Sequence, residues 1–152
     1  MPDLYLDRLD AVVFDTDGVL TDTARVHAAA WAQLFDGYLE RRPVRLGERS
    51  RPFTGADYLR HVDGRPRYDG VAAFLDSRGI ALPWGDPSDP PGRETVCGLG
   101  NAKDRQFAAH LRRHGAQAFP ASADLVVRLR TAGVRTAVVS ASRNMRAVLA
   151  SA

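Results

Sequence analysis

Two carboxylates one residue apart follow a short apolar run near the start of the chain. The run 11–14 is rich in Val and Phe and is bounded by polar residues and Gly, which predicts a strand buried on both faces. Asp15 and Asp17 come where that strand ends, and Gly18 follows them. Ligands of open α/β sheets bind at the carboxyl ends of the strands. Paired carboxylates at this position suit phosphoryl transfer.

A second apolar run, 134–139, leads into the hydroxyl-rich sequence Ser-Ala-Ser-Arg-Asn at 140–144. Helical patterns surround this run at 101–114, closed by Gly115, at 123–132, capped by Ser122, and at 145–152. Strands of parallel type separated by helices predict an α/β protein with a doubly wound sheet. Because only two strands are evident, we expect an incomplete sheet that leaves Val12 and Val138 uncovered and the chain poorly stable.

The chain between these two runs has a different character. After Asp22 or Thr23, either of which can cap a helix, small and apolar residues recur on one side of a predicted helix: Val26, Ala30, Leu34 and Tyr38. The pattern breaks at 37–43. Arginine-rich linkers, two short helical patterns at 55–61 and 69–78, and a loop rich in Pro, Gly and Asp at 83–92 follow. This region predicts a small helical insertion rather than a continuing sheet.

Two stretches of the chain resemble signatures of the haloacid dehalogenase superfamily. The sequence Asp-Thr-Asp-Gly-Val-Leu-Thr-Asp-Thr at 15–23 resembles the first signature, and Ser140 after a Val-rich strand resembles the second. Within the superfamily the closest likeness is to the β-phosphoglucomutase family and its hydrolase relatives. It is carried by His27 and Trp31, by the loop at 140–144, and by Gly-Arg-Pro-Arg-Tyr-Asp at 64–69, which resembles a phosphate-binding loop of their cap domain.

The resemblance implies a fold and a domain organisation. The fold would be a doubly wound, Rossmannoid parallel sheet with a small helical cap inserted after the first strand, and the core would be incomplete. The core would comprise residues 1–22, with the first strand and catalytic loop, and residues 116–152, with a helix, the second strand and the phosphate loop. The cap and its linkers would comprise residues 23–115.

The resemblance also implies roles for the residues at the strand ends. Asp15 would be the nucleophile that becomes an aspartyl-phosphate, and it would also bind Mg²⁺. Asp17 would be the general acid and base, and its backbone carbonyl would bind the same metal. Ser140 would donate its hydroxyl to a phosphoryl oxygen, with the N–H of Ala141 as a second donor. Without the resemblance, Ser140 could instead be a helix cap.

Further residues would contact the substrate. Thr23 and His27, one helical turn apart, would face the cleft and align the acid/base Asp, although His27 could simply be a polar residue on an amphipathic helix. Arg67 would bind the substrate's non-reacting phosphate through a bidentate pair, or else be a solvated loop charge. The remaining substrate contacts would be Ser142, Arg143 and Asn144.

The chain departs from the family pattern in several places. Asp63 stands where phosphoglucomutases have a Lys, and Arg143 replaces the usual Lys of the second loop. The family needs a Lys after the second signature and a later acidic pair for the metal, and neither is present. Lys103, the only lysine, precedes the second strand. We therefore expect an N-terminal portion of a longer enzyme, with weak Mg²⁺ binding and little or no activity of its own.

The resemblance therefore implies a Mg²⁺-dependent phosphoryl transferase of the sugar-phosphate phosphatase or β-phosphoglucomutase type, acting on a small phosphorylated metabolite such as a sugar phosphate. The alternative is a non-catalytic remnant or binding module on the same fold. The 152 residues carry 21 basic and 18 acidic side chains, with no dense basic block, so nucleic-acid binding is not expected. No apolar run reaches the roughly 18 residues of a membrane span. A lone cysteine, Cys97, and no signal-peptide pattern predict a cytoplasmic protein.

Overall fold

The computed structural model describes residues 5, 9–42 and 51–152, and these form two compact units. The first unit comprises Met1–Ala24 and His114–Ala152, and the second comprises Arg25–Arg113. The elements in chain order are β1 (Ala11–Asp15), α1 (Ala24–Arg41), α2 (Gly55–Asp57), a π-helical turn (Tyr58–Val62), α3 (Arg67–Ser77), α4 (Val96–His114), α5 (Pro120–Thr131), β2 (Arg135–Val139) and α6 (Met145–Ser151). Most of the predicted linker at 43–51 lies outside the described residues.

The first unit is built on a parallel pair of strands. Strands β1 and β2 are neighbours, with Ala11 opposite Arg135 and Asp15 opposite Val139. The helices that separate parallel strands in the chain are needed because such strands cannot be joined by a tight turn. The predicted α/β architecture with an incomplete parallel sheet is confirmed.

One face of this sheet packs against the unit's own core. Phe14, Leu20, Leu129 and Val134 are buried there, and Val12 and Val138 pack against them half-buried. The expectation that Val12 and Val138 lie uncovered is therefore wrong. Since side chains alternate between the two faces of a strand, the uncovered residues are their neighbours: Val13 is 60% exposed and Val139 56%.

Helix α5 begins three residues before its predicted start. Pro120 occupies the first helical position and Phe119 is the residue before it, without a side-chain cap. Proline is well suited to that position because its fixed φ is already helical and its missing N–H is not needed. The proposed cap, Ser122, instead lies within the helix, and its hydroxyl donates to the Val19 carbonyl at 2.7 Å. This bond ties α5 to the loop that follows β1.

The second unit is helical and has its own aromatic and aliphatic core. Helix α1 presents one buried stripe with spacings of three and four residues: His27, Ala30, Trp31, Leu34, Phe35, Tyr38 and Leu39. Phe35, Val71 and Phe74 are fully buried at the centre of this core. Helix α1 continues through Gly37 and ends at Arg41, within the range 37–43 where a break was expected.

Helix α4 begins five residues before its predicted start at Asn101. The hydroxyl of Thr95 accepts the N–H of Gly98 at 2.9 Å, which satisfies one of the free donors at the helix start. Two glycines in the first turns lower helix propensity and conceal the helix in the sequence. At Gly98 an added Cβ would lie 2.5 Å from the Arg93 carbonyl oxygen, so the glycine there serves close packing.

None of the helices in the described parts of the chain is both long and apolar enough to cross a lipid bilayer.

Candidate functional site

The loop after β1 is a tight, internally hydrogen-bonded turn. The carbonyl of Thr16 accepts the N–H groups of Leu20 and Thr21, both at 3.0 Å, and Gly18 donates its N–H to the Thr21 carbonyl at 2.8 Å. Gly18 has a φ of +80°, which favours glycine over any residue with a Cβ. The N–H of Thr16 donates to Asp15 Oδ1 at 2.7 Å. The turn therefore fixes the backbone on both sides of the exposed Asp15 carboxylate.

A buried chain of hydroxyls orients Asp17. The Thr23 hydroxyl donates to Asp17 Oδ1, and the Thr21 and Thr23 hydroxyl oxygens are 2.9 Å apart. The Thr21 hydroxyl also donates to the Thr16 carbonyl, at 3.1 Å. These hydrogen bonds are shielded from competing water, because Thr16, Thr21 and Thr23 are at most 1% exposed. Thr23, expected to face a cleft, directly holds the carboxylate that it was expected to align.

The loop after β2 is shaped by its two serines. The N–H of Ser142 donates to Ser140 Oγ at 3.0 Å, and the N–H of Asn144 donates to Ser142 Oγ at 3.2 Å. The residue that precedes α6 is Asn144, so Ser140 is not the cap of that helix. Ala141, between the two half-buried serines, is exposed, and so is Arg143, which follows them. Ser140 is thus held at the strand end rather than used to begin α6.

The register of the sheet brings the two loops to one edge. Asp15 is the last residue of β1 and pairs with Val139, the residue before Ser140. Adjacent strands lie about 4.8 Å apart, so Asp15 and Ser140 emerge side by side at the carboxyl ends. A carboxylate beside a hydroxyl group at one strand edge is an arrangement that can hold and attack a phosphoryl group.

The Asp15 and Asp17 oxygens match Mg²⁺ in ligand type, since this ion prefers hard oxygen donors. The number of these ligands is too small for the octahedral coordination that Mg²⁺ prefers. Among the residues that the structure describes, no three His, Cys, Asp or Glu side chains lie close enough to hold one ion. The described residues therefore do not by themselves form a complete metal site.

The second unit holds a buried lysine–histidine pair. Lys103 Nζ donates to His27 Nδ1 at 2.6 Å. Both residues are buried: Lys103 is 5% exposed and His27 is 8% exposed. Lys103 Nζ lies 5.1 Å from the Trp31 ring centroid and 5.0 Å from that of Phe107, which stacks on His27 at 4.0 Å. Aromatic faces stabilise a desolvated cation. An ammonium group only donates, so this contact places the proton of a neutral His27 on Nε2.

The sequence pattern assigns no role to Lys103. A signal for it exists: His27 and Trp31 are four apart on α1, and Lys103 and Phe107 are four apart on α4, so each pair shares one helix face. The long-range contact between the two helices was not visible in that spacing. His27 is therefore more than a polar residue on the surface of an amphipathic helix.

Substitution of Lys103 tests whether this pair fixes His27. We expect Lys103→Met to lower the free energy of unfolding by about 1–3 kcal/mol, because the buried His27 Nδ1 loses its donor. In nitrogen NMR spectra of labelled histidine, Nδ1 of His27 should be unprotonated in the wild type and mixed in the variant. Arg105→Met, on the exposed side of the same helix, should change neither quantity. An unaltered His27 tautomer in Lys103→Met contradicts the assigned role.

Arg67 is the first residue of α3 and is tied to α4. Its Nη1 lies 2.7 Å from Asp104 Oδ2, and its guanidinium carbon lies 4.9 Å from the Tyr68 ring centroid. The side chain is 17% exposed, so Arg67 is a held cation with an accessible edge rather than a freely solvated loop charge.

The predicted site residues fall into two groups. Those of the first unit are brought together at one sheet edge and its loops: Asp15, Asp17, Thr23, Ser140, Ala141, Ser142, Arg143 and Asn144. His27 and Arg67 belong to the second unit.

The sequence and the structure have recognisable relatives. A family model described as haloacid dehalogenase-like hydrolase matches residues 9–152. A protein of Mycobacterium tuberculosis named beta-phosphoglucomutase is 49% identical over 145 residues, which cover 95% of this chain and 55% of that protein. The chain thus spans about half the length of this curated relative.

Two solved structures share the fold. Beta-phosphoglucomutase of Clostridium difficile has a TM-score of 0.67 at 19% identity, covering 94% of this chain and 56% of that one. CbbY of Rhodobacter sphaeroides, in complex with xylulose-(1,5)bisphosphate, has a TM-score of 0.64 at 22% identity, with coverage of 94% and 56%. With a family model matched over nearly its whole length, this chain belongs to the haloacid dehalogenase-like hydrolases and is related to the β-phosphoglucomutases.

Proposed function

We propose that this chain carries the phosphoryl-transferring residues of an enzyme that acts on a small phosphorylated sugar. The observation that carries the proposal is the register of the sheet, in which Asp15 pairs with the residue before Ser140. A carboxylate and a hydroxyl donor at one strand edge, with a second carboxylate two residues away, are the groups that an aspartyl-phosphate mechanism requires.

The proposed reaction begins with attack of the Asp15 carboxylate on phosphorus. The bond from phosphorus to the ester oxygen breaks, and Asp17 protonates that oxygen as it leaves. Ser140 and the loop N–H groups, including that of Ala141, donate to the phosphoryl oxygens. In the second half-reaction, Asp17 removes a proton from the acceptor, water or a sugar hydroxyl, which then takes the phosphoryl group from Asp15. The Thr23 hydroxyl orients Asp17 through both halves.

We further propose that residues 1–22 and 116–152 act as the catalytic core and residues 23–115 as a cap. In the cap, the Lys103–His27 pair would position a neutral imidazole, and Arg67 would bind a non-reacting phosphate. Ser142, Arg143 and Asn144 would contact the substrate from the second core loop. Mg²⁺ is the proposed cofactor of the longer enzyme, with Asp15 and Asp17 supplying part of its site. The described residues supply too few ligands for a complete site. A cytoplasmic location is proposed as well.

The names of the relatives support a phosphorylated sugar as substrate. One relative is called a β-phosphoglucomutase, and one structural neighbour was solved with a sugar bisphosphate. Both are larger than this chain. The substrate class is therefore proposed for a longer enzyme that contains these residues.

A hybrid protein tests the proposal and separates its two forms. Residues 1–152 are joined to the part of the Mycobacterium tuberculosis relative that lies beyond the matched region, and the product is assayed with β-glucose 1-phosphate and a catalytic bisphosphate. Formation of glucose 6-phosphate supports a mutase, and release of inorganic phosphate from a panel of sugar phosphates supports a phosphatase. The 152-residue chain alone should show neither. A folded hybrid without either activity contradicts the proposal.

The alternative is a non-catalytic binding module. The observation that favours it is that, among the residues that the structure describes, no three His, Cys, Asp or Glu side chains lie close enough to hold one metal ion. A folded hybrid that binds a sugar phosphate but never turns it over would support this alternative.

A further inference from the structure

The Arg67 guanidinium is held from two sides by helix α4. Asn101 and Asp104 are three residues apart and so lie on the same face of that helix. Asp104 contacts Arg67 directly at 2.7 Å, and Asn101 contacts it through the Tyr68 hydroxyl. The two sides differ in chemistry, since one is neutral and the other is negatively charged.

The neutral side is fixed. The Asn101 amide donates from Nδ2 to the carbonyls of Pro87 and Asp89, at 3.0 and 2.9 Å, so its oxygen is turned to accept the Tyr68 hydroxyl at 3.0 Å. The Tyr68 ring lies directly on the α4 backbone, because a Cβ on Gly100 would be 2.7 Å from Tyr68 Cδ1. The Tyr68 oxygen is then 3.4 Å from Arg67 Nη2. Tyr68 therefore stays in place whatever residue stands at 104.

On the charged side, Asp104 is paired with the guanidinium group that a phosphate would need to bind. Asp104 Oδ2 takes a position beside Nη1 where an anion would form a charge-assisted hydrogen bond. The Asp104 side chain is 32% exposed and that of Arg67 is 17% exposed, so both are partly accessible to solvent. A phosphate that approaches Arg67 therefore meets a like charge within a few ångströms and must share or displace it.

We propose that Asp104 competes with the substrate for Arg67 and so sets how strongly the second unit binds a phosphorylated ligand. This inference rests on the proposed role of Arg67 in binding a non-reacting phosphate. Asp104 lowers the affinity for every anion at Arg67. A ligand with a single negative charge loses most, because it has less charge with which to displace the carboxylate, whereas a phosphate dianion can still compete.

The test is a binding titration of the 152-residue protein with glucose 6-phosphate, followed by NMR of the Arg67 side chain. We expect Asp104→Asn to bind glucose 6-phosphate about three to ten times more tightly than the wild type. This range assumes that the Arg67–Asp104 ion pair is somewhat stronger than a fully exposed ion pair, because both side chains are partly buried. Asp76→Asn is the matched control, since Asp76 is an exposed carboxylate near the other end of α3. It changes the net charge equally and should leave the affinity close to that of the wild type. Unphosphorylated glucose should not shift the Arg67 signals.

The outcomes separate this inference from the proposed function. If Arg67→Gln abolishes binding and Asp104→Asn binds no more tightly than Asp76→Asn, the competition is wrong and the role of Arg67 stands. If no variant shows binding that depends on Arg67, both are overturned. Loss of the gain from Asp104→Asn in an Arg67→Gln background supports the direct pairing of the two residues, and retention of that gain contradicts it.

Discussion

Replacement of Asp15 by Asn should reduce phosphoryl transfer by at least about a thousandfold in the hybrid that completes this chain. An amide has almost the shape of a carboxylate but cannot form an acyl phosphate, so the covalent path is closed while the loop is kept. The N–H of Thr16 can still donate to the remaining side-chain oxygen. The measurement is the steady-state rate with the best sugar phosphate from the panel.

Asp10→Asn is the control for this variant. Asp10 is exposed immediately before β1, at the end opposite to Asp15, so the same change of charge is made near the same strand. Its backbone carbonyl, which accepts the N–H of Arg135, is unaffected by the substitution. We expect Asp10→Asn to retain nearly full activity. An Asp15→Asn variant that keeps more than a tenth of the activity would remove Asp15 from the role of nucleophile.

Replacement of Asp57 by Asn should cost about 3–5 kcal/mol of stability, because it removes a carboxylate that is paired with the buried Arg78 charge. Arg78 has a side chain that is 0% exposed, and its Nη2 lies 2.9 Å from Asp57 Oδ2. Asp57 also closes a capping box with Thr54 at the start of α2. Urea unfolding measures the loss, and Asp76→Asn should stay within about 0.5 kcal/mol of the wild type.

The same pair gives a pH dependence with a definite sign. Burial opposes ionisation of Asp57, but hydrogen bonds from Thr54 and the charges of Arg78 and Arg51 outweigh it and hold the pKa of Asp57 below its usual value. A carboxylate with a lowered pKa contributes stability that is present above its unfolded pKa, about 3.9, and lost as the pH falls through the folded value. The stability difference between wild type and Asp57→Asn should therefore shrink below about pH 4. A difference that is constant from pH 7 to pH 2 contradicts this assignment.

The elements that carry strong local patterns could be predicted from the sequence. Both strands lie within a residue of their predicted bounds, because each is a short apolar run with turn residues beyond it. Helix starts were harder. The start of α4 was missed because Gly98 and Gly100 lower helix propensity, and tertiary packing against Arg93 and Tyr68 is what requires those glycines.

The contacts between distant residues could not be predicted. The bond between His27 and Lys103 joins residues 76 positions apart, and the bond between Arg67 and Asp104 also joins separate helices. Periodicity identifies the face on which each residue lies but not the partner opposite it. The uncovered face of the sheet was misassigned for a related reason: a run of apolar residues does not say which alternate side chains α5 covers.

Chemical trapping can show whether Asp15 receives the phosphoryl group. The hybrid is mixed with its sugar phosphate, quenched during turnover and reduced with borohydride, which converts an acyl phosphate into an alcohol. Peptide mass spectrometry should then find homoserine at position 15 in the active protein and none in Asp15→Asn. Conversion of another carboxylate, or sustained turnover with an unmodified Asp15, would contradict the claim.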